Sequence, residues 1–211
     1  MMELESSVAQ PPSESHDVMR RMHCWPGEGG RIALFALVSY IPGTLGAFLD
    51  EMRRTLVQGC NAQSHVTVLP PRELSSPDAA AAQLALDLRG LAPFEIELGE
   101  VKTFDSTSVV YLSLKRGQEV LEKVHAHLSE VSVLGFDERF EYHPHITLAQ
   151  EFPPERLREI ASAAHERWAQ YTGPREFTVD ALTFVRNADG NKWVDLETYF
   201  LDGEDSAAAP G

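Results

Sequence analysis

The chain has 211 residues, enough for one large domain or two small lobes, and its 43% apolar and 24% charged content is that of a folded globular protein. The formal net charge is −14, whereas a protein that covers a long nucleic acid needs a basic surface; this excludes duplex DNA as a partner but leaves a small nucleotide or an RNA end. No run reaches the ~18 apolar residues of a membrane span, and Cys24 and Cys60 form no CxxC, so a reduced, cytoplasmic setting is the default expectation.

In chain order, residues 1–30 are rich in Ser, Pro, Glu and Gly and have no apolar h-region, which reads as a disordered arm. "RIALFALVSY" (31–40) is an apolar run of strand length. "GTLGAFLDEMRRTLVQ" (43–58) spaces Leu45, Phe48, Leu49, Met52 and Leu56 as a helix does. "SHVTVLP" (64–70) is a strand expected to end at Pro70-Pro71, and residues 76–90 form a helix with Ser76 as N-cap, Pro77 at its first position and Gly90 as its stop. Strands follow at 94–104 and 108–115.

The second half then parallels the first. The strand "SVVYLSLK" leads into a helix over 117–131, a loop and a strand "HPHITLAQ" (143–150). A helix over 153–171 and a strand over 175–186 come next, then the turn "NADGN" and a last strand over 192–201. Residues 202–211 read as a flexible tail. Each half therefore reads strand, helix, strand, helix, strand, with an H-x-T sequence in its third element. The two H-x-T sequences are 80 residues apart and the first strands of the halves 77 apart, which points to two similar lobes within one domain over 31–201. The expected class is α+β, bilobed, with largely antiparallel sheets flanked by helices around a central cleft.

Strand side chains alternate, so His65 shares a face with Thr67, and His145 with Thr147, while Val66, Val68, Ile146 and Leu148 face the other way. Two such polar faces turned toward each other can bring two imidazoles to one phosphorus. One imidazole would act as general base on the attacking oxygen, the other as general acid on the leaving oxygen. The hydroxyls of Thr67 and Thr147 are suited to donating to phosphate oxygens. His143 and His145 also form H-x-H, a pair able to share a metal ion, although the strands carry no alternating Asp or Glu to complete such a site.

"SHVTVLP" and "YHPHITLAQ" resemble the paired signatures of the two-histidine (2H) phosphoesterase superfamily, in particular its 2'-5' RNA ligase-like and cyclic phosphodiesterase branch. The resemblance covers about residues 31–201, with the apolar first strand, the proline before the second histidine and a closing hairpin in agreement. It implies metal- and cofactor-independent chemistry on a 2',3'-cyclic or 2'-linked nucleotide or RNA phosphodiester. His65 and His145 become the acid–base pair, with Thr67 and Thr147 on the phosphate. Tyr111, Phe35, His143 and Arg186 are further candidates for substrate contact. Phe35 and Tyr111 are expected at matching places in the two first strands, and His143 at the cleft entrance.

His125, His127 and His165 on helices, and His16 and His23 in the arm, are expected to carry no chemistry. The expected protein is a monomer without membrane contact. Two other readings stay open: a nucleotide or RNA-end binding module without turnover, and a metal hydrolase using His143 and His145.

Overall fold

The computed structural model describes residues 33–60, 63–104, 106–138, 140–188 and 192–203. The arm expected over residues 1–30, with Cys24, His16 and His23, and residues 204–211 of the expected tail lie outside the described residues. The elements are β1 (Phe35–Tyr40), α1 (Gly43–Leu56), β2 (His65–Arg72), α2 (Pro77–Asp87), β3 (Phe94–Phe104), β4 (Val109–Arg116) and α3 (Gln118–Ser129). They continue with β5 (Ile146–Ala149), a 3-10 turn (Pro154–Arg156), α4 (Leu157–Ala169), β6 (Glu176–Val179), β7 (Ala181–Ala188) and β8 (Lys192–Phe200). Among these, no helix is long and apolar enough to cross a membrane.

The strands form two four-stranded sheets, ordered β2-β1-β7-β8 and β5-β4-β3-β6, and every pairing is antiparallel. This is the expected α+β class, with one sheet per motif. The halves are nevertheless not separate. The closing strand of the first half, β3, pairs with β4 of the second, and β7 from the second half pairs with β1 of the first. The run over 175–186, read from sequence as one strand, is two: Glu176–Val179 extends the second sheet and Ala181–Ala188 enters the first. The chain crosses between sheets at Asp180, whose carbonyl accepts a hydrogen bond from the Leu201 amide at 2.8 Å.

Two boundaries also differ from the sequence expectation. β2 runs through Pro70-Pro71 to Arg72, which pairs with Phe35. As an edge strand, β2 needs N–H groups on one side only, so the prolines cost it no ladder bond toward solvent. β5 starts only at Ile146, leaving His145 just ahead of it. Ser76 precedes α2 at the cap position, but its side chain makes no capping hydrogen bond.

The apolar faces of both sheets and the inner stripes of the helices merge into one core. Leu37, Leu49, Met52, Val66, Val68, Leu112, Ile146, Leu148 and Ile160 all belong to it. Each such fully buried aliphatic side chain stabilises the fold by about 1.5–3 kcal/mol. On the opposite face of the first sheet, Ala36, Val38 and Val185 form a smaller apolar patch, covered by Tyr40 and Trp193. That face carries His65 and Thr67.

The long segment before the second motif is tied to β2 by one buried group. Arg72, 1% exposed, donates Nη1 to the Leu134 carbonyl at 2.7 Å and pairs through Nη2 with Glu138 at 2.5 Å. The other carboxylate oxygen of Glu138 lies 3.4 Å from His125 Nε2, and His125 Nδ1 donates to the Val68 carbonyl at 2.8 Å.

Candidate active site

The two motifs occupy equivalent places: β2 and β5 are edge strands of their respective sheets, and they touch each other. In the first sheet Thr67 pairs with Val38 and His65 with Tyr40; in the second, Thr147 pairs with Tyr111. Strand alternation buries Val66, Val68, Ile146 and Leu148 in the core and turns both histidines and both threonines to the other faces, toward the gap between the sheets.

Each imidazole is oriented in the same way. His65 Nδ1 lies 2.6 Å from the Gln63 carbonyl, and His145 Nδ1 lies 2.6 Å from the His143 carbonyl. A carbonyl can only accept, so in both rings Nδ1 carries the hydrogen, and the neutral imidazole keeps its lone pair on Nε2. Two residues of backbone thus fix the tautomer that general base chemistry requires.

The halves also hold each other at the motifs. Arg53 of α1 donates Nη1 to the Thr147 carbonyl at 2.6 Å, and the Tyr142 hydroxyl donates to the Thr67 carbonyl at 2.7 Å. Tyr142 is fixed in turn by stacking on His125, with centroids 3.8 Å apart and planes 7° from parallel. The side-chain hydroxyls of Thr67 and Thr147 have no part in either tie.

Around His145 the wall is aromatic. Phe104 and Tyr111 stack at 4.1 Å, and His145 presents its ring to both at 5.2 Å, edge to face. His143 sits beside them, 5.9 Å from Tyr111. Tyr111 and His143, with Lys102, Ser113, Lys115 and Gln118, line a groove of about 280 Å³. On the other side Tyr40 lies edge-on to His65 at 6.4 Å and donates its hydroxyl to Asp195 at 2.5 Å.

These surroundings keep both imidazoles neutral. Burial is the main cause for His65, followed by the positive charge of Arg53, and its pKa falls from 6.5 to about 4. The Gln63 hydrogen bond and Asp50 act against this, and His145 adds to it. Burial likewise lowers His145, opposed by the His143 carbonyl. In the absence of a ligand, the site at neutral pH therefore holds two uncharged bases near a buried cation.

The structure brings His65 within electrostatic reach of His145 and sets Tyr111 and His143 against His145, with Thr67 and Thr147 two residues beyond their histidines. Phe35 lies in the core, stacked on Phe184 at 5.6 Å. The pairing register explains its distance from the site: the strand position matching Tyr111 opposite Thr147 is Val38, opposite Thr67, and not Phe35. Arg186 pairs with Phe35 and is exposed, on the face alternating with Val185 and so away from His65. No cluster of three or more His, Cys, Asp or Glu side chains suited to a metal ion occurs among the described residues.

Arg53, Phe104 and Tyr40 were not singled out from sequence. For Arg53 a signal existed: it stands four residues after Leu49, on the apolar stripe of α1. His125, expected to be idle, is buried and holds both Val68 and Tyr142.

Comparison with known proteins gives concordant findings. The family model described as the 2'-5' RNA ligase superfamily matches residues 42–191. Escherichia coli LigT in apo form superposes with a TM-score of 0.56 at 18% identity, over 80% of this chain and 96% of that one. The same protein complexed with 3'-AMP gives 0.55 at 19% identity, over 80% and 97%. Kluyveromyces marxianus Usb1 gives 0.51 at 12% identity, over 78% and 97%. At these identities the likeness is one of fold. No curated protein matches the chain significantly.

Proposed function

Because the chain belongs to the 2'-5' RNA ligase superfamily, we propose that it is a phosphoesterase acting on a 2',3'-cyclic or 2'-linked phosphodiester of a nucleotide or RNA end, with His65 and His145 as its general acid–base pair. The observation that carries this reading is the matched hydrogen bonding of the two imidazoles, each donating Nδ1–H to a carbonyl at 2.6 Å and so leaving Nε2 as its basic nitrogen.

On a cyclic phosphate the reaction needs two proton movements. Nε2 of one histidine removes a proton from water as its oxygen bonds to phosphorus. Nε2–H of the other donates to the ribose oxygen as the P–O bond breaks, leaving a phosphomonoester. The acid must hold a proton at the start. The phosphodiester supplies the means: its negative charge favours the imidazolium that the empty site disfavours. The Thr67 and Thr147 hydroxyls then hold the non-bridging oxygens as charge builds on them. Each proton transfer accounts for about 100- to 10,000-fold in rate, and none of these steps calls on a metal.

The phosphate of a nucleotide would sit between the histidines, with its base against Tyr111 and Phe104. Stacking on such a platform contributes about 1–3 kcal/mol per base. The acidic balance of the chain favours a nucleotide or a short RNA end over long RNA.

The test is incubation with each 2',3'-cyclic nucleotide in EDTA, with products resolved by chromatography, alongside His65→Ala and His145→Ala. Loss of about 100-fold or more in kcat/KM in both variants, with a bell-shaped pH dependence in the wild type, is the expected result. Full activity in either variant refutes the pair, and chelator-sensitive turnover refutes the metal-free route. Tight nucleotide binding without product would identify a binding module instead.

A further inference from the structure

Arg53 is 3% exposed, and a guanidinium remains protonated at any physiological pH. Its Nη1 holds the Thr147 carbonyl at 2.6 Å, its Nη2 lies 3.8 Å from Cys60 Sγ, and its Nε is buried without a hydrogen-bond partner. Among the described residues it forms no ion pair, while every other buried arginine does: Arg72, the one comparable case, has Glu138. A buried cation without a carboxylate is costly to keep, and this one lies between the two motif strands. The charged and titratable groups around His65 are Arg53 and Asp50 from α1, Tyr40 from β1 and His145 ahead of β5. Asp50 accepts the Ser64 amide at 2.6 Å and forms no ion pair with Arg53 among the described residues, and its charge acts on His65 in the opposite sense and more weakly.

We infer that Arg53 is a positioning residue of the site, which fixes the second motif through the Thr147 carbonyl and holds beside His65 a positive charge that no ion pair neutralises, so that the phosphate anion of the substrate serves as its counterion. The inference rests on the phosphoesterase reading for its substrate, though not for its electrostatics. After burial, the guanidinium is the largest influence keeping a proton off His65. Arg53 touches no reacting atom: it acts on His65 through charge and on Thr147 through the backbone. A residue that was only a strut between α1 and β5 would supply the hydrogen bond without affecting either anion binding or imidazole titration.

The test follows the imidazole resonances of His65 and His145 by NMR across pH in the full-length wild type, Arg53→Lys and Arg53→Met, with and without inorganic phosphate. The wild type should show His65 titrating near pH 4, well below the usual imidazole range. Arg53→Lys should keep the low midpoint, and Arg53→Met should raise it by about one pH unit and weaken phosphate about tenfold. An Arg53→Met protein whose His65 titrates as in the wild type and whose phosphate affinity is unchanged overturns the inference. Should that variant not fold, the wild type decides: His65 titrating at 6.5 or above overturns it equally. The expected shifts in a protein that turns over no cyclic nucleotide would remove the phosphoesterase reading and leave the role of Arg53 standing.

Discussion

Replacing Arg72 by methionine removes the anchor between β2 and the segment that delivers the second motif, while methionine still fills much of the arginine stem. Arg72 and Glu138 are 2% and 17% exposed at their side chains, so water screens their pair poorly. Breaking a buried ion pair from one side costs about 3–5 kcal/mol, because the remaining charge stays where it is. Losing the donor to the Leu134 carbonyl leaves a buried acceptor, about 1–3 kcal/mol more. Against these, Glu138 retains some access to solvent and its pairing with Arg72 no longer has to be desolvated, so the expected net loss is about 3 kcal/mol. With a urea m-value of about 2–3 kcal/mol/M, the unfolding midpoint should fall by roughly 1–1.5 M. Glu138→Gln, which keeps a hydrogen-bond acceptor for the guanidinium, should lose less than Arg72→Met. The measurement is equilibrium urea unfolding followed by tryptophan fluorescence and far-UV circular dichroism. A loss below about 1 kcal/mol in Arg72→Met would show that the segment before the motif is held by its other contacts and that the reasoning is wrong.

Thr67→Val and Thr147→Val should each lower kcat/KM by about 10- to 100-fold with little loss of stability, because a hydrogen bond to a charged oxygen is worth about 1.5–3 kcal/mol and the ties from Tyr142 and Arg53 use the carbonyls; steady-state kinetics with a cyclic nucleotide reads this, and an unchanged rate removes the phosphate role. The folded pKa of His65, about 4, lies below the 6.5 of the unfolded chain. Its contribution to stability is therefore complete above pH 6.5 and is lost as pH falls toward 4. The stability difference between wild type and His65→Gln, from urea melts at several pH values, should shrink across that window; a flat difference contradicts the shift. Gly46→Ala places a methyl group against the Ile41 carbonyl inside α1, and should cost about 2 kcal/mol or more in thermal or urea unfolding; a neutral result would mean that the turn between β1 and α1 yields easily.

The motif strands were legible because period two is a local property. His65 with Thr67, and His145 with Thr147, share a face whatever their strands pair with, and the similar spacings of motifs and first strands exposed the duplication. What the sequence hid were partners distant along the chain. Nothing in "FEIELGEVKTF" tells which sheet it joins, and the swap of β3 and β7 between halves depends on pairings such as Phe35 with Arg186. Arg53 and Arg54 are neighbours of the same type, yet one is buried at the second motif and the other is exposed beside Glu51. Only their angular position on α1 separates them, and a charged residue on an apolar stripe is readily taken for its margin. Phe35 was matched to Tyr111 by counting from the strand starts; the pairing sets Val38, not Phe35, opposite Thr67 as Tyr111 is opposite Thr147, so such counting fails.

The exchange of closing strands gives the molecule the logic of a two-part lock. A chain divided between β3 and β4 yields a first piece with His65 and Arg53 but without β7 to complete its sheet, and a second with His145 and Tyr142 but without β3. Neither piece has a full sheet or a full pair of imidazoles, and each lacks the strand the other carries. Mixing them would restore sheets and site in one event, so recovered turnover would count reassembled molecules directly. The same exchange sets the order of events on the ribosome: the first sheet stays open beside β1 until β7 has emerged, so the half-site made first is the one that waits longest to be finished.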